Sequence, residues 1–112
     1  MWFLSVISHL MTKNLDKEGL RSIAENYDLF FIDLWGVVHN GIKLHEKAIE
    51  TLVEIDKSNK KYVLLTNAPR PNSTVKNFLK KLGMNNKILE NIYTSGEAAV
   101  SYLKKNHLSE IF

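Results

Sequence analysis

The run Leu29-Phe30-Phe31-Ile32, closed by Asp33 and followed by a glycine-containing turn, constrains this chain more than any other stretch. Four consecutive apolar residues behind polar Tyr27-Asp28 read as a short strand buried on both faces. A carboxylate at the C-terminal end of such a strand lies where open α/β sheets bind ligands. The plain alternative is a solvated Asp that only ends the strand, and the strand alone supports either.

The same design recurs twice. Tyr62-Val63-Leu64-Leu65 ends in Thr66-Asn67, and a shorter strand, Ile92-Tyr93-Thr94, runs into Ser95. The intervening segments have helical spacing. Residues 45–57 place Ile49, Leu52 and Val53 on one side, with Ala48 and Ile55 widening the apolar stripe. Val75, Phe78, Leu79 and Leu82 follow at i, i+3, i+4 and i+7 behind a Ser73 or Asn72 cap, and Gly83 stops that helix as a left-handed residue. Ala68-Pro69-Arg70-Pro71-Asn72 is irregular, because two prolines in three positions remove donors and restrict their neighbours. A first helix is expected over 14–26, capped by Asn14 or Asp16, with Leu20, Ile23 and Ala24 at helical spacing. A last one starts at a Ser95 cap and buries Ala99, Tyr102 and Leu103.

The order α-β-α-β-α-β-α, with strand-to-strand crossovers of about 30 residues, predicts right-handed βαβ units. The expected fold is therefore α/β: a partial, Rossmann-like three-layer arrangement around a parallel sheet of about three strands. The strand order is expected to be third-second-first or to have the Asp33 strand central, and the second is preferred because ligand crevices form where strand order reverses. Residues 14–112 form one small domain, and residues 1–13 an N-terminal extension. The opening Met1-Trp2-Phe3-Leu4-Ser5-Val6-Ile7 is apolar but too short to span a bilayer. A fourth strand is expected near Ile111-Phe112, so the chain reads as part of a longer domain.

Composition narrows the function classes. The chain has no cysteine, so it has neither disulfides nor a thiolate zinc site, and a reducing cytoplasm suits it. The net charge is +3, with lysines paired at 60–61, 80–81 and 104–105 near helix ends or in loops. No aromatic-interleaved basic stripe accompanies them, so they read as solvated, and neither nucleic acid nor membrane is expected as a partner. His9, His45 and His107 show no metal-ligand spacing.

In a parallel sheet Asp33, Thr66-Asn67 and Thr94-Ser95 share one edge. A carboxylate, a hydroxyl and helix N-termini around one crevice suit a phosphate-like anion beside a bound cation.

Phe31-Ile32-Asp33-Leu34-Trp35-Gly36-Val37-Val38 with Asn40-Gly41 resembles the first motif of the haloacid dehalogenase-like (HAD) hydrolases. Leu64-Leu65-Thr66-Asn67-Ala68-Pro69-Arg70 resembles their second motif, in the form used by the subclass IIA phosphatases related to the NagD nucleotide phosphatase. Ile92-Tyr93-Thr94-Ser95-Gly96-Glu97-Ala98 resembles the third strand and helix start of that subclass. The resemblance implies a Rossmann-like HAD core, of which this chain is the N-terminal part. It implies that Asp33 is the nucleophile, forming an aspartyl-phosphate that water hydrolyses. It implies Mg²⁺, held by the Asp33 carboxylate and the Trp35 carbonyl, to offset repulsion between the carboxylate and the phosphoryl dianion. Thr66 would hydrogen-bond the phosphoryl group, Asn67 would hold the loop or the substrate, and N–H groups of Leu34, Trp35 and Gly36 would complete the cradle. The substrate class implied is a small phosphorylated metabolite.

Two departures accompany the match. The family's phosphatases carry an acidic residue two positions after the nucleophile, to protonate the leaving group. Trp35 stands there, and an indole N–H does not exchange protons at neutral pH. General acid–base help is worth ~10²–10⁴-fold. Members that cleave carbon–halogen bonds also lack the acid, but the rest of this sequence resembles the phosphatases. The family's later motifs, a charge-stabilising lysine and acidic magnesium ligands, find no counterpart in residues 1–112, nor does the module that selects substrate. The expectation is a hydrolase fragment that is inactive alone and is completed by a separately encoded C-terminal part of the same fold. The rival is a non-catalytic remnant or phospho-ligand-binding module. His39 is the candidate for a substitute acid, and Arg70, between its prolines, for a contact to a substrate anion.

Overall fold

The structure is a computed structural model that describes residues 14–107. The N-terminal extension, and the place where a fourth strand was expected, lie outside the described residues. Three strands form one parallel sheet: β1 (Leu29–Asp33), β2 (Lys61–Thr66) and β3 (Ile92–Thr94). Leu29 to Asp33 pair in register with Lys61 to Leu65, and Leu64 to Thr66 with Ile92 to Thr94.

The strand order is β1-β2-β3, so β2 is central and the expectation of a central Asp33 strand is corrected. Each crossover moves the chain one strand further in the same direction. Right-handed crossovers that step the same way lay their helices on the same face. The burial pattern shows this. Side chains alternate across a strand, and Tyr62, Leu64, Ile92 and Thr94 are buried with Phe30 and Ile32 half-buried beside them. Leu29, Phe31, Leu65 and Tyr93 point the other way and are exposed. Burial of β1 on both faces is therefore also corrected: the described residues supply a helical layer to one face only.

That layer begins with α2 (Glu46–Lys57), which buries Leu52 and Ile55 against the sheet, as its apolar stripe predicts. It continues with α3 (Asn72–Lys81), whose Leu79 is fully buried. Gly83 follows at φ 97°, a left-handed position that a side chain would strain, and its N–H bonds the Lys80 carbonyl as a C-terminal stop. A short helix that the sequence reading passed over, α4 (Asn86–Leu89), buries Ile88 and Leu89. Its signal was local: the Asn85 side chain accepts from the N–H groups of Lys87 and Ile88.

Two expected helices differ. Instead of one helix over 14–26 there is α1 (Leu15–Glu18), broken at Gly19 (φ 76°), followed by 3₁₀ turns at Leu20–Ser22 and Ala24–Asn26. The last helix, α5 (Ser95–Asn106), is capped one residue earlier than expected: Thr94, not Ser95, caps it by accepting from the Glu97 N–H. Its Ala99, Tyr102 and Leu103 are exposed rather than buried, since no further described layer packs over them.

Candidate active site

Asp33 is the last residue of β1, and the chain turns immediately after it. Leu34 and Val38 turn inward and are fully buried, which leaves Trp35, Gly36 and Val37 facing out. The Leu34 carbonyl accepts from the N–H groups of Val37, Val38 and His39, making a tight loop. Gly36 sits at φ 80° within it, a conformation that glycine adopts without strain. The loop is fastened further on: the Val38 carbonyl accepts from the His45 N–H at the start of α2, and Asn40 Oδ1 accepts from Ile42 and Lys43.

The three N–H groups expected to form a cradle have different fates. Leu34 donates to Asp33 Oδ1 at 2.9 Å and Gly36 donates to the His39 carbonyl at 2.8 Å. The Trp35 N–H alone of the three has no partner among the described residues.

Thr66 ends β2, beside Asp33, because Asp33 pairs with Leu65. Its hydroxyl oxygen accepts from the Ala68 N–H at 3.4 Å. The irregular loop beyond it is held by β3 and the first turn of α5. Thr94 donates its hydroxyl to the Arg70 carbonyl at 2.5 Å, and its N–H goes to Asn72 Oδ1 at 2.9 Å. Ser95 and Gly96 both donate to the Ala68 carbonyl. Glu97 Oε2 accepts from the Asn72 N–H at 2.9 Å, so a carboxylate 25 residues away caps α3 in place of Ser73 or Asn72. A Cβ on Gly96 would stand 2.6 Å from the Arg70 carbonyl oxygen, so only glycine lets the two segments approach this closely. Asn72, Gly96 and Glu97 were missed as site-building residues. Their partners are distant in sequence, and no local pattern reveals them.

Asp33, Trp35, Thr66, Asn67 and Ser95 line one cavity of about 730 Å³ at the C-terminal edge of the sheet, with Phe31, Leu65 and Tyr93 on its apolar side. The three strand ends are thus brought together as the motif spacing predicts. Leu34 is buried beneath the cavity rather than lining it, and Arg70 and His39 do not line it either. His39 is 5% exposed, packed between the rings of Trp35 (centroids 5.6 Å apart) and Phe78 (5.7 Å). Its Nδ1 accepts from the Gly41 N–H at 3.0 Å. Burial, and secondarily the charge of His45, lower its pKa from the ordinary 6.5. Buried beneath the loop and outside the cavity, His39 braces the loop and is not placed to serve as the substitute acid considered above.

The sequence model of the haloacid dehalogenase-like hydrolase family matches residues 30–112. The chain belongs to this family. Among solved structures, a haloacid dehalogenase-like hydrolase from Brucella suis is similar at 31% identity and TM-score 0.70, over 78% of this chain and 32% of that one. A glycerol phosphate phosphatase from Mycobacterium tuberculosis, solved with magnesium, is similar at 28% identity and TM-score 0.58, over 75% and 25%. A 4-nitrophenylphosphatase from Thermotoga maritima shares the fold at 22% identity and TM-score 0.63, over 76% and 33%. The chain spans about a third of the length of these solved relatives or less. No curated protein matches the sequence.

Within this HAD chain the donors for a metal are few but of the right kind. Asp33 uses Oδ1 for the Leu34 N–H, which leaves Oδ2 without a partner among the described residues, and the Trp35 carbonyl is equally unengaged. Mg²⁺ is commonly held by one or two protein carboxylates together with waters and phosphate oxygens, so these two oxygens fit it. No group of three or more His, Asp or Glu side chains suited to a metal occurs among the described residues. Nor is any helix among them long and apolar enough to cross a membrane.

Proposed function

We propose that this chain is the N-terminal part of a phosphatase-type HAD hydrolase acting on a small phosphorylated metabolite in the cytoplasm, with residues 14–112 belonging to the core and residues 1–13 an extension. The observation that carries the reading is that a strand-end carboxylate, Asp33, shares one cavity with Thr66, Asn67 and Ser95 at the C-terminal ends of the adjacent parallel strands. An Asp33 oxygen attacks phosphorus, the bond from phosphorus to the substrate oxygen breaks, and water later hydrolyses the aspartyl-phosphate. Thr66 donates its hydroxyl to the phosphoryl group, Asn67 holds the loop or the substrate, and the Trp35 N–H, with those of Leu34 and Gly36 on loop adjustment, completes the cradle. Asp33 and the Trp35 carbonyl would hold Mg²⁺, which would supply charge neutralisation between the nucleophile and the phosphate; magnesium in the similar glycerol phosphate phosphatase supports this.

The rest of the fold is the partner that this reading requires, in the same or a separate polypeptide. Two features support it: the chain spans about a third of its solved relatives, and Leu29, Phe31, Leu65 and Tyr93 leave an apolar sheet face open. Alone, the chain is expected to show no hydrolysis of p-nitrophenyl phosphate with Mg²⁺.

The test is an NMR titration of this chain with Mg²⁺ and beryllium fluoride, a phosphoryl mimic. Shifts at Asp33 to Gly36 and Thr66 to Asn67, lost in Asp33→Ala, are expected; shifts confined elsewhere would overturn the site. Trp35 in place of an acid favours a second reading, a phospho-ligand-binding module without turnover. Hydrolysis of p-nitrophenyl phosphate by this chain completed with the rest of the fold, abolished by Asp33→Asn, would exclude it.

A further inference from the structure

Trp35 is the one large aromatic side chain on the Asp33 loop, and it is held rather than loose. The six-membered ring of its indole lies against Gly41, where a Cβ would stand 3.3 Å from Cζ2. The buried His39 ring supports it at 5.6 Å between centroids, and His39 is itself fixed by Phe78 and by the Gly41 N–H. With that bracing Trp35 is still 64% exposed and lines the cavity that contains Asp33. An exposed tryptophan whose rotamer is already set loses little entropy when a second ring stacks on it.

The chemistry of the position points the same way. An indole cannot protonate a departing oxygen at neutral pH. When the Asp33 oxygen bonds to phosphorus and the ester bond breaks, the substrate oxygen must leave carrying the electron pair, and take its proton from water afterwards. A phenol-type oxygen, which like tyrosine ionises near pH ~10, tolerates this far better than an alkoxide. We propose that the site selects phosphate monoesters of planar aromatic alcohols, with the aromatic ring stacked on Trp35. This rests on the phosphatase reading of Asp33 and deepens it, since one residue both withholds the acid and receives the group that needs none.

The test measures binding to the full chain with Mg²⁺ by following the Trp35 indole N–H and the Asp33 to Gly36 amides by NMR. Three probes are compared: inorganic phosphate, butyl phosphate and phenyl phosphate. Phenyl phosphate should bind about threefold to tenfold more tightly than butyl phosphate, the size expected of a ring–ring contact, and should move the indole resonance by ring current. Trp35→Leu should bring the ratio of the two dissociation constants to about one, and Trp35→Tyr should keep most of the preference. Equal affinities in the unaltered chain, with inorganic phosphate binding normally, would overturn the aromatic preference and leave the phosphatase reading standing. Failure of all three probes to bind would remove that reading and the preference with it. A preference that persists in Trp35→Leu would overturn the role of this side chain.

Discussion

The two faces of the sheet are made from equally apolar residues and have opposite environments. Leu64 is fully buried under α2 and α3, whereas its neighbour Leu65 is 39% exposed and Phe31, across from Val63, is 67% exposed. Nothing in side-chain chemistry distinguishes them. The difference comes from topology, because two crossovers stepping in one direction cover one face and leave the other to whatever lies beyond the described residues. An apolar residue at a strand position therefore reports that a cover is intended, not that this part of the chain supplies it.

The sharpest break of that comparison is a pair of substitutions. Leu64→Ala should cost ~2–5 kcal/mol of folding stability, the range for a fully buried leucine. Leu65→Ala should cost about 0.5 kcal/mol or less, as at exposed positions. Urea unfolding followed by circular dichroism checks both, and equal losses would mean that the open face is covered in solution. A smaller loss, ~1–3 kcal/mol, is expected of Thr94→Val, which strips the Arg70 carbonyl and the Glu97 N–H of a buried partner. Amide exchange should then rise at residues 68–72 ahead of the β1 amides.

Stability should also respond to pH through His39. Its folded pKa lies below 6.5, so as pH falls through 6.5 the unfolded chain takes up a proton that the folded chain refuses. Stability is thus complete above 6.5 and declines below it, until the folded pKa is passed and the loss levels off. The decline should be shallower in His39→Gln, and an identical pH profile would show that this imidazole is not buried in solution. Least of all should Phe31→Lys change stability, within about 0.5 kcal/mol. Its readout is association instead: light scattering should show less self-association if the open apolar face drives it.

The local physics of this chain was legible from its residues. Apolar runs of strand length, a helical stripe over 46–57, the Gly83 stop and the clustering of Asp33, Thr66 and Asn67 at one edge all follow from periodicity and from the shared direction of parallel strands. The helix expected over 14–26 failed because Gly19 interrupts it, a penalty that the apolar spacing outweighed on paper. Other features are decided by contacts across 20 or more residues: which strand is central, which face is left open, the Glu97 cap on α3 and the glycine required at 96. The same holds for position 35. Its sequence announces only a missing acid, while the packing of His39 and Gly41 beneath it makes the indole a fixed surface at the mouth of the site. Propensity and period act within a turn or a strand. Strand order and close approach arise only when separate elements compete for the same space.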